Sequence, residues 1–242
     1  MSNTLLYNTL QQKSKQIAVL IDPDKMNEEK LLQLITIAQN KIDYFFIGGS
    51  LLLHNNLEQI IQIIKQNTTI PVVLFPGNYN QISSSADAIL LLSLISGRNA
   101  EFLIGQQVHA APLLKQSNLE IISTGYILID GNNKTSVQYI SNTQAIPNNK
   151  NDIAACTALA GEQLGLKAIY LEAGSGALQS VPTTLIEAVK QQINIPLIVG
   201  GGIKTIAQAT AIFNAGANVI VVGTAIEEDA TFLSDLIQQI ER

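Results

Sequence analysis

The chain lacks the residues that mark several common classes of protein. Its 242 residues include one cysteine, no tryptophan and two histidines. The single Cys156 excludes an intramolecular disulfide and argues against a zinc site, and it favours a reducing compartment such as the cytoplasm. Because His54 and His109 are the only histidines, mechanisms that depend on histidine are disfavoured.

Charged residues and long apolar runs are also scarce. Charged residues make up 14% of the chain, compared with about 25% in an average domain, and the net charge is −5. Such a chain offers no basic stripe for nucleic acid. The N-terminal segment is too polar for a signal peptide, and the longest apolar run, Ala86–Ile95, is much shorter than the ~20 residues of a membrane span. We therefore expect a cytoplasmic protein without a membrane segment. An anionic ligand would then be held by backbone N–H groups, helix N-termini or a metal.

What the chain does have is a regular alternation of short apolar runs with helical patterns. Its length is close to the ~250 residues of one (β/α)8 barrel. Eight strands separated by helices favour a parallel barrel over an open sheet, and no G-x-G-x-x-G follows the first strand. We therefore predict an α/β fold, a single TIM barrel over residues 1–242. The predicted strands are Ile17–Ile21, Tyr44–Ile47, Val72–Phe75, Ala88–Leu92, Glu120–Ser123, Ala168–Glu172, Leu197–Val199 and Val219–Val222.

Two segments depart from the repeating pattern. Only PGNYNQISSSAD separates strands three and four, which is too short and polar for a full crossover helix. A shortened or missing helix, and hence a thin barrel wall, is predicted there. After strand five, two apolar stretches flank Asp130-Gly131-Asn132-Asn133, which predicts a hairpin followed by a polar loop. This insertion is a candidate lid over the face where the strands end.

Two glycine-rich turns near the C-terminus predict a phosphate-binding site. Gly200-Gly201-Gly202 follows strand seven, and Gly223-Thr224 follows strand eight. Glycines at the carboxyl ends of adjacent parallel strands expose backbone N–H groups, and the loops after strands seven and eight are the usual phosphate site of a barrel. Two ordinary turns between strand and helix are the alternative interpretation.

Strand one ends in Asp22-Pro23-Asp24-Lys25, where the catalytic residues of a barrel lie. Mg²⁺ takes one or two carboxylates and completes its shell with water and substrate phosphate, so Asp22 is a candidate metal ligand. Ser50, after strand two, could add a hydroxyl. The alternatives are a solvated turn at Asp22–Lys25 and a plain helix-start turn at Gly48-Gly49-Ser50.

Strand six ends in Tyr170-Leu171-Glu172 and runs into Ala173-Gly174-Ser175-Gly176. Tyr170 and Glu172 are two residues apart, so both side chains point to one face. A carboxylate that points into a barrel mouth is unfavourable unless it is used or paired, which makes Glu172 a candidate general base. The alternative is a glutamate bonded to the neighbouring backbone.

Arg98 follows strand four at the start of a predicted helix. Its planar fork of N–H donors fits phosphate oxygens, so it is a candidate diphosphate ligand. A surface pair with Glu101 is the alternative.

Five of these motifs together resemble the geranylgeranylglyceryl phosphate synthase family, which also contains heptaprenylglyceryl phosphate synthases. The likeness extends from strand one to strand eight and is most specific in Tyr-Leu-Glu before a Gly-Ser turn combined with Leu-Ile-Asp-Pro-Asp-Lys. Some members carry lysine where this chain has Leu20, and others have a loop one residue shorter after Glu172; the chain resembles the branch with the longer Gly-Ser-Gly loop. The motifs are Ile21–Lys25, Ile47–Ser50, Tyr170–Gly176, Val199–Lys204 and Val222–Thr224.

The resemblance implies a prenyltransferase of ether phospholipid biosynthesis. It would use Mg²⁺ to join a prenyl chain, expected to be geranylgeranyl, to sn-glycerol 1-phosphate through an ether bond. Asp22 and Ser50 would hold the metal, and Glu172 and Tyr170 would be the catalytic residues. A homo-oligomer, dimer or hexamer, and a peripheral membrane contact for product release are also expected. The implied substrate-binding residues are Tyr170, Leu171, Glu172, Ala173, Gly174, Ser175, Gly176, Gly201, Gly202, Gly223 and Thr224.

Two other functions share parts of this pattern. A sugar-phosphate isomerase would use the same phosphate turns, but it would need a second acid–base group after strand five, where Ser123-Thr124-Gly125 offers no carboxylate. A non-catalytic glycerol-phosphate sensor would keep the turns without a metal carboxylate. Asp22, Glu172 and the negative net charge argue against that sensor.

Overall fold

Eight parallel strands close into a barrel in chain order, with the last strand paired to the first. The structure, a computed structural model, describes residues 6–38, 41–54, 56–229 and 231–240. The predicted barrel is confirmed. The strands are β1 (Gln16–Ile21), β2 (Tyr44–Ile47), β3 (Val72–Leu74), β4 (Ala88–Leu94), β5 (Glu120–Leu128), β6 (Ala168–Glu172), β7 (Leu197–Gly200) and β8 (Val219–Val222).

Helices surround this barrel and connect most of its strands. A π-helical turn, Glu101–Gly105, leads directly into the fourth helix. The helices are α1 (Leu6–Gln12), α2 (Glu28–Ala38), α3 (Leu57–Asn67), α4 (Gln106–Gln116), α5 (Ser136–Ser141), α6 (Asn151–Gln163), α7 (Thr183–Lys190), α8 (Ile206–Asn214), α9 (Thr224–Glu228) and α10 (Thr231–Gln239). In the described part of the chain no helix is both long and apolar enough to cross a bilayer.

Side-chain alternation along each strand separates an inner core from an outer one. In β1, Ala18 packs with the residues inside the barrel, whereas Ile17 and Val19 pack outward with buried helix residues. In β6, Tyr170 belongs to the inner cluster and Leu171 to the outer one. The period of two residues therefore directs Tyr170 and Glu172 inward, as the sequence predicts.

The N-terminal helix α1 lies at the end of the barrel where the strands begin. The backbone N–H groups of Leu6 and Tyr7 donate to the carboxylate of Glu120 at 2.6 and 3.0 Å. The fully buried Gln16 donates to the Leu10 carbonyl at 3.1 Å and accepts the Tyr44 hydroxyl at 2.6 Å. These bonds satisfy polar groups that would otherwise be buried unpaired at the barrel base.

The missing helix between β3 and β4 is confirmed. Residues 75–87, all of them described, contain no helix. A loop replaces it, and Glu58 of α3 anchors this loop by accepting the hydroxyls of Ser83 and Ser85 at 2.5 and 2.6 Å. Farther along the loop, Gln81 donates to the Gly49 carbonyl at 3.1 Å. The barrel wall is thus a single layer at this point.

The predicted end of strand five and the predicted hairpin after it are both wrong. The strand continues through Gly125 to Leu128 because this stretch pairs with β4 and β6. Gly125 fits there because the packing is close: a Cβ would lie 2.8 Å from Ile95 and 2.9 Å from Ile169. After the strand, Asp130 accepts the Asn132 N–H at 2.9 Å in a local turn, and the short helix α5 follows. The insertion therefore contributes a helix in place of a hairpin.

Candidate active site

A cavity of about 320 Å³ opens at the carboxyl ends of the strands. All eight strands, or the loops that directly follow them, contribute lining residues. The structure brings together most of the residues expected to form the site: Asp22, Ser50, Tyr170, Glu172, Ser175, Gly176, Gly201, Gly202, Gly223 and Thr224 all line this cavity.

Glu172 is the buried carboxylate of the cavity, with only 6% of its surface exposed. Its Oε1 accepts the Gly174 N–H at 2.6 Å. The hydroxyl of Tyr170 lies nearby, and a Cβ on Gly200 would come within 2.2 Å of that hydroxyl and 3.2 Å of Glu172 Oε2. Only glycine at position 200 leaves room for both groups.

Burial dominates the electrostatics of Glu172. It raises the pKa of Glu172 to about 7, against the opposing influence of the Gly174 N–H and the Tyr170 hydroxyl. The same burial, together with the charge of Glu172, raises the pKa values of Tyr170 and Tyr126 well above the ordinary range. The Tyr170 hydroxyl is buried and makes no hydrogen bond of acceptable geometry to any described residue. A buried carboxylate whose pKa lies near 7 is suited to act as a general base.

The two glycine turns form one side of the cavity. Gly201 and Gly202 have φ values of 84° and 69°, which strongly favour glycine. A Cβ on Gly202 would lie 2.7 Å from the Gln179 carbonyl oxygen, so these turns pack tightly against the loop after β6. The hydroxyl of Thr224, in the second glycine turn, lies 3.3 Å from the hydroxyl of Ser175 in the loop after β6. Two hydroxyls and the backbone N–H groups of two strand–helix turns are suitable donors for a phosphate group.

Asp22 and Ser50 line the cavity in the loops after the paired strands β1 and β2, and β1 is also the neighbour of β8 and its glycine turn. Asp22 Oδ1 accepts the Asp24 N–H at 3.1 Å and lies 3.4 Å from the position of a Cβ on Gly49. Asp22 Oδ2 faces the Lys25 ammonium at 3.4 Å. A partly exposed carboxylate and a hydroxyl, with room for water and phosphate oxygens, are a donor set that Mg²⁺ accepts.

An apolar arm extends from this polar centre beneath the loop that replaces the missing helix. Phe75 stacks on Tyr170 with ring centroids 5.0 Å apart, and Tyr126 meets both rings at 5.9 and 5.3 Å. Beyond these rings the lining is mainly aliphatic. The apolar residues of the arm are Ile82, Leu91, Leu92, Phe102, Ala110, Val137 and Ile140.

Four predicted site residues do not line the cavity. The guanidinium of Arg98 turns back to donate to the Gly97 carbonyl at 2.8 Å, and the residue lines a separate depression beside α6. Its expected contact with a diphosphate is therefore not supported, and no described ion pair joins it to Glu101. Leu171 and Ala173 face the outer core because of strand alternation. Gly174 contributes its N–H to Glu172 rather than to the cavity surface.

Several residues that line the cavity did not emerge from the sequence pattern. Tyr126 was hidden by the early predicted end of strand five, although its period-two spacing from Ile122 and Thr124 is the signal that could have revealed it. Asp130, the carboxylate that does follow β5, bonds its own turn and is not among the lining residues. Glu227 lies beside Lys25, a contact that no local pattern predicts.

Comparison with known proteins agrees with this geometry. A family model described as the PcrB family matches residues 9–241. A geranylgeranylglyceryl phosphate synthase of Chitinophaga pinensis is 48% identical over 244 residues, covering 99% of this chain and 97% of that protein. A protein of the same name from Spirosoma linguale is 52% identical over 223 residues, covering 92% of this chain and 90% of that protein.

A solved structure shares the whole fold. It is the crystal structure of (S)-3-O-geranylgeranylglyceryl phosphate synthase from Thermoplasma acidophilum in complex with its substrate sn-glycerol-1-phosphate. The TM-score is 0.89 at 31% sequence identity, and the match covers 96% of this chain and 95% of that one.

Proposed function

The chain belongs to the PcrB family, and on that premise we propose that it is a prenyltransferase that joins a prenyl chain to sn-glycerol 1-phosphate through an ether bond. The observation that carries the proposal is a single cavity in which a buried carboxylate, a glycine-lined phosphate cradle and an apolar arm meet. The names of the relatives and the ligand in the Thermoplasma acidophilum structure support the same reaction.

The glycerol phosphate is anchored by its phosphate group. Gly201, Gly202 and Gly223 present backbone to the cavity, and the hydroxyls of Ser175 and Thr224 add donors. The two lysines that line the described cavity, Lys25 and Lys204, are too few to bind phosphate as a cationic cluster. Backbone donors keep their positions without rearrangement, so the glycerol hydroxyl is held close to the reacting carbon and less entropy is lost in the transition state.

Glu172 takes the proton of the attacking hydroxyl. Oε1 is engaged by the Gly174 N–H, which fixes the carboxylate plane, and Oε2 lies toward Tyr170. With a pKa of about 7, Glu172 is basic enough to accept a proton and is still largely ionised just above neutral pH. The buried ring of Tyr170 covers the carboxylate and shields it from water.

The diphosphate end of the donor belongs beside Asp22 and Ser50, which would hold Mg²⁺. Bound there, the metal supplies positive charge to the departing diphosphate. The prenyl chain occupies the apolar arm, whose walls exclude water from the allylic carbon. We take geranylgeranyl diphosphate as the donor because the relatives carry that name.

A direct assay tests the proposal. The purified chain is incubated with Mg²⁺, radiolabelled glycerol phosphate of either enantiomer, and prenyl diphosphates of several lengths, and any apolar product is identified by mass spectrometry. We expect an ether product from the sn-1 enantiomer, abolished by EDTA. Tight glycerol phosphate binding without product under every condition would instead support a non-catalytic sensor, and conversion of a sugar phosphate without a prenyl donor would support an isomerase.

A further inference from the structure

The loop after β1 and the helix after β8 meet through one lysine. The ammonium of Lys25 lies 3.4 Å from Asp22 Oδ2 and 3.6 Å from Glu227 Oε2. The Lys25 N–H also donates to the Asp22 carbonyl at 3.1 Å, which fixes the turn that carries the side chain. The ammonium is thus shared between the candidate metal carboxylate and a second carboxylate on α9.

This cluster is too exposed to be explained by stability alone. Slightly more than half of the Lys25 side chain is exposed, compared with 24% for each of the two carboxylates. Exposed ion pairs at such distances contribute little to folding because water screens them. All three residues nevertheless line the cavity, where their charges act on any bound anion.

The charged side chains of the cavity show which protein cation could meet a diphosphate beside Asp22. Its described lining carries three carboxylates, Asp22, Glu172 and Glu227, but only two ammonium groups, Lys25 and Lys204. Lys204 follows the Gly201-Gly202 turn assigned to glycerol phosphate. Lys25 is therefore the protein cation beside Asp22, where the other charged side chains, Asp22 and Glu227, would repel a diphosphate.

We propose that Lys25 donates a charge-assisted hydrogen bond to the diphosphate of the prenyl donor, and that Glu227 competes for the same ammonium. This inference rests on the proposed function. An ammonium on a flexible stem can move from a carboxylate to a phosphate oxygen by rotation about its side-chain bonds, without backbone change. Glu227 is then a positioning residue that keeps the ammonium at the cavity rim and releases it to the stronger acceptor.

Calorimetric titration with inorganic pyrophosphate in the presence of Mg²⁺ tests the proposal without turnover. Lys25→Met should weaken pyrophosphate binding by about 10- to 100-fold, the loss of one charge-assisted hydrogen bond, and Lys25→Arg should restore most of it. Glu227→Gln should tighten the binding, since it removes both a competitor and a repelling charge. Lys115→Met, which deletes one exposed lysine in the last turn of α4, is the charge-matched control and should bind like the wild type.

Kinetics separate this role from a structural one. Lys25→Met should raise KM for the prenyl diphosphate while KM for glycerol phosphate and the melting temperature stay unchanged. Equal pyrophosphate affinity in the wild type and Lys25→Met overturns the inference but leaves the proposed function intact. Weaker binding in Glu227→Gln refutes the competition. A wild-type protein that neither binds pyrophosphate nor forms product overturns both the inference and the proposed function.

Discussion

Replacing Glu172 by glutamine should slow the reaction and stabilise the fold at the same time, and pH separates the two effects. Glutamine keeps the shape and can still accept the Gly174 N–H, but it cannot take a proton. Since a general base contributes typically ~10²–10⁴-fold, kcat should fall by about that factor while glycerol phosphate still binds through the glycine turns. The wild-type kcat/KM should rise with pH through about 7, where Glu172 ionises, and the residual activity of the variant should lose that dependence.

The stability effect follows from the same pKa. An unfolded glutamate titrates near 4.5 and the folded Glu172 near 7, a difference of about 2.5 that corresponds to roughly 3 kcal/mol. Below pH ~4.5 Glu172 is protonated in both the folded and the unfolded state, and the full stability is present. As the pH rises to about 7, Glu172 ionises first in the unfolded state, and the free energy of unfolding falls by up to that amount. Glutamine stays neutral, so Glu172→Gln should be more stable than the wild type at pH 8 by an amount that disappears near pH 4.5.

Single-turnover kinetics and urea unfolding between about pH 4.5 and 9 measure both effects. Glu187→Gln, on the exposed face of α7, is the matched control and should change neither the rate nor the pH dependence of stability. Two results would refute a raised pKa for Glu172: a wild-type rate that does not change across neutral pH, or a Glu172→Gln variant that is no more stable than the wild type at pH 8. A variant that loses glycerol phosphate binding but reacts normally when saturated would make Glu172 an orienting residue, and the base would then have to be found elsewhere.

Further outcomes test the rest of the site. Asp22→Asn should lose both turnover and the response to Mg²⁺ while glycerol phosphate affinity, measured by calorimetry, is kept; full turnover in EDTA would contradict the metal site. Gly223→Ala should fold normally, because its Cβ would lie 3.4 Å from Leu20, but should raise KM for glycerol phosphate; an unchanged KM would remove Gly223 from the phosphate site. Gly201→Ala should lower the free energy of unfolding in urea by about 1–3 kcal/mol, since φ is 84° and the new Cβ would lie 2.5 Å from Glu172 Oε1; wild-type stability would contradict that strain. We expect a homo-oligomer by light scattering; a wild-type mass near 26.1 kDa, the mass of one chain, would contradict it.

Local patterns were sufficient for the barrel and for much of the site. The period of two residues in β6 placed Tyr170 and Glu172 on the inner face, and the glycine turns after β7 and β8 lie where parallel strands must end. The short polar segment between β3 and β4 could not hold a crossover helix, whatever its surroundings. These features can be predicted because they depend only on residues that are close together in the sequence.

Contacts between loops that are distant in sequence depend on how the barrel closes. The neighbours of Gly125 in sequence predict that a strand ends there, but Gly125 lies within β5, paired with β4 and β6, and Ile95 and Ile169 pack over it. Arg98 has the chemistry of a phosphate ligand, yet the orientation of its loop turns it to the outside of the barrel. Lys25 and Glu227 are 202 positions apart in the chain and meet because β1 pairs with β8 when the barrel closes. The residue types identify which side chains are reactive, and the closure of the barrel decides which of them share one cavity, because closure sets the distances between the loops.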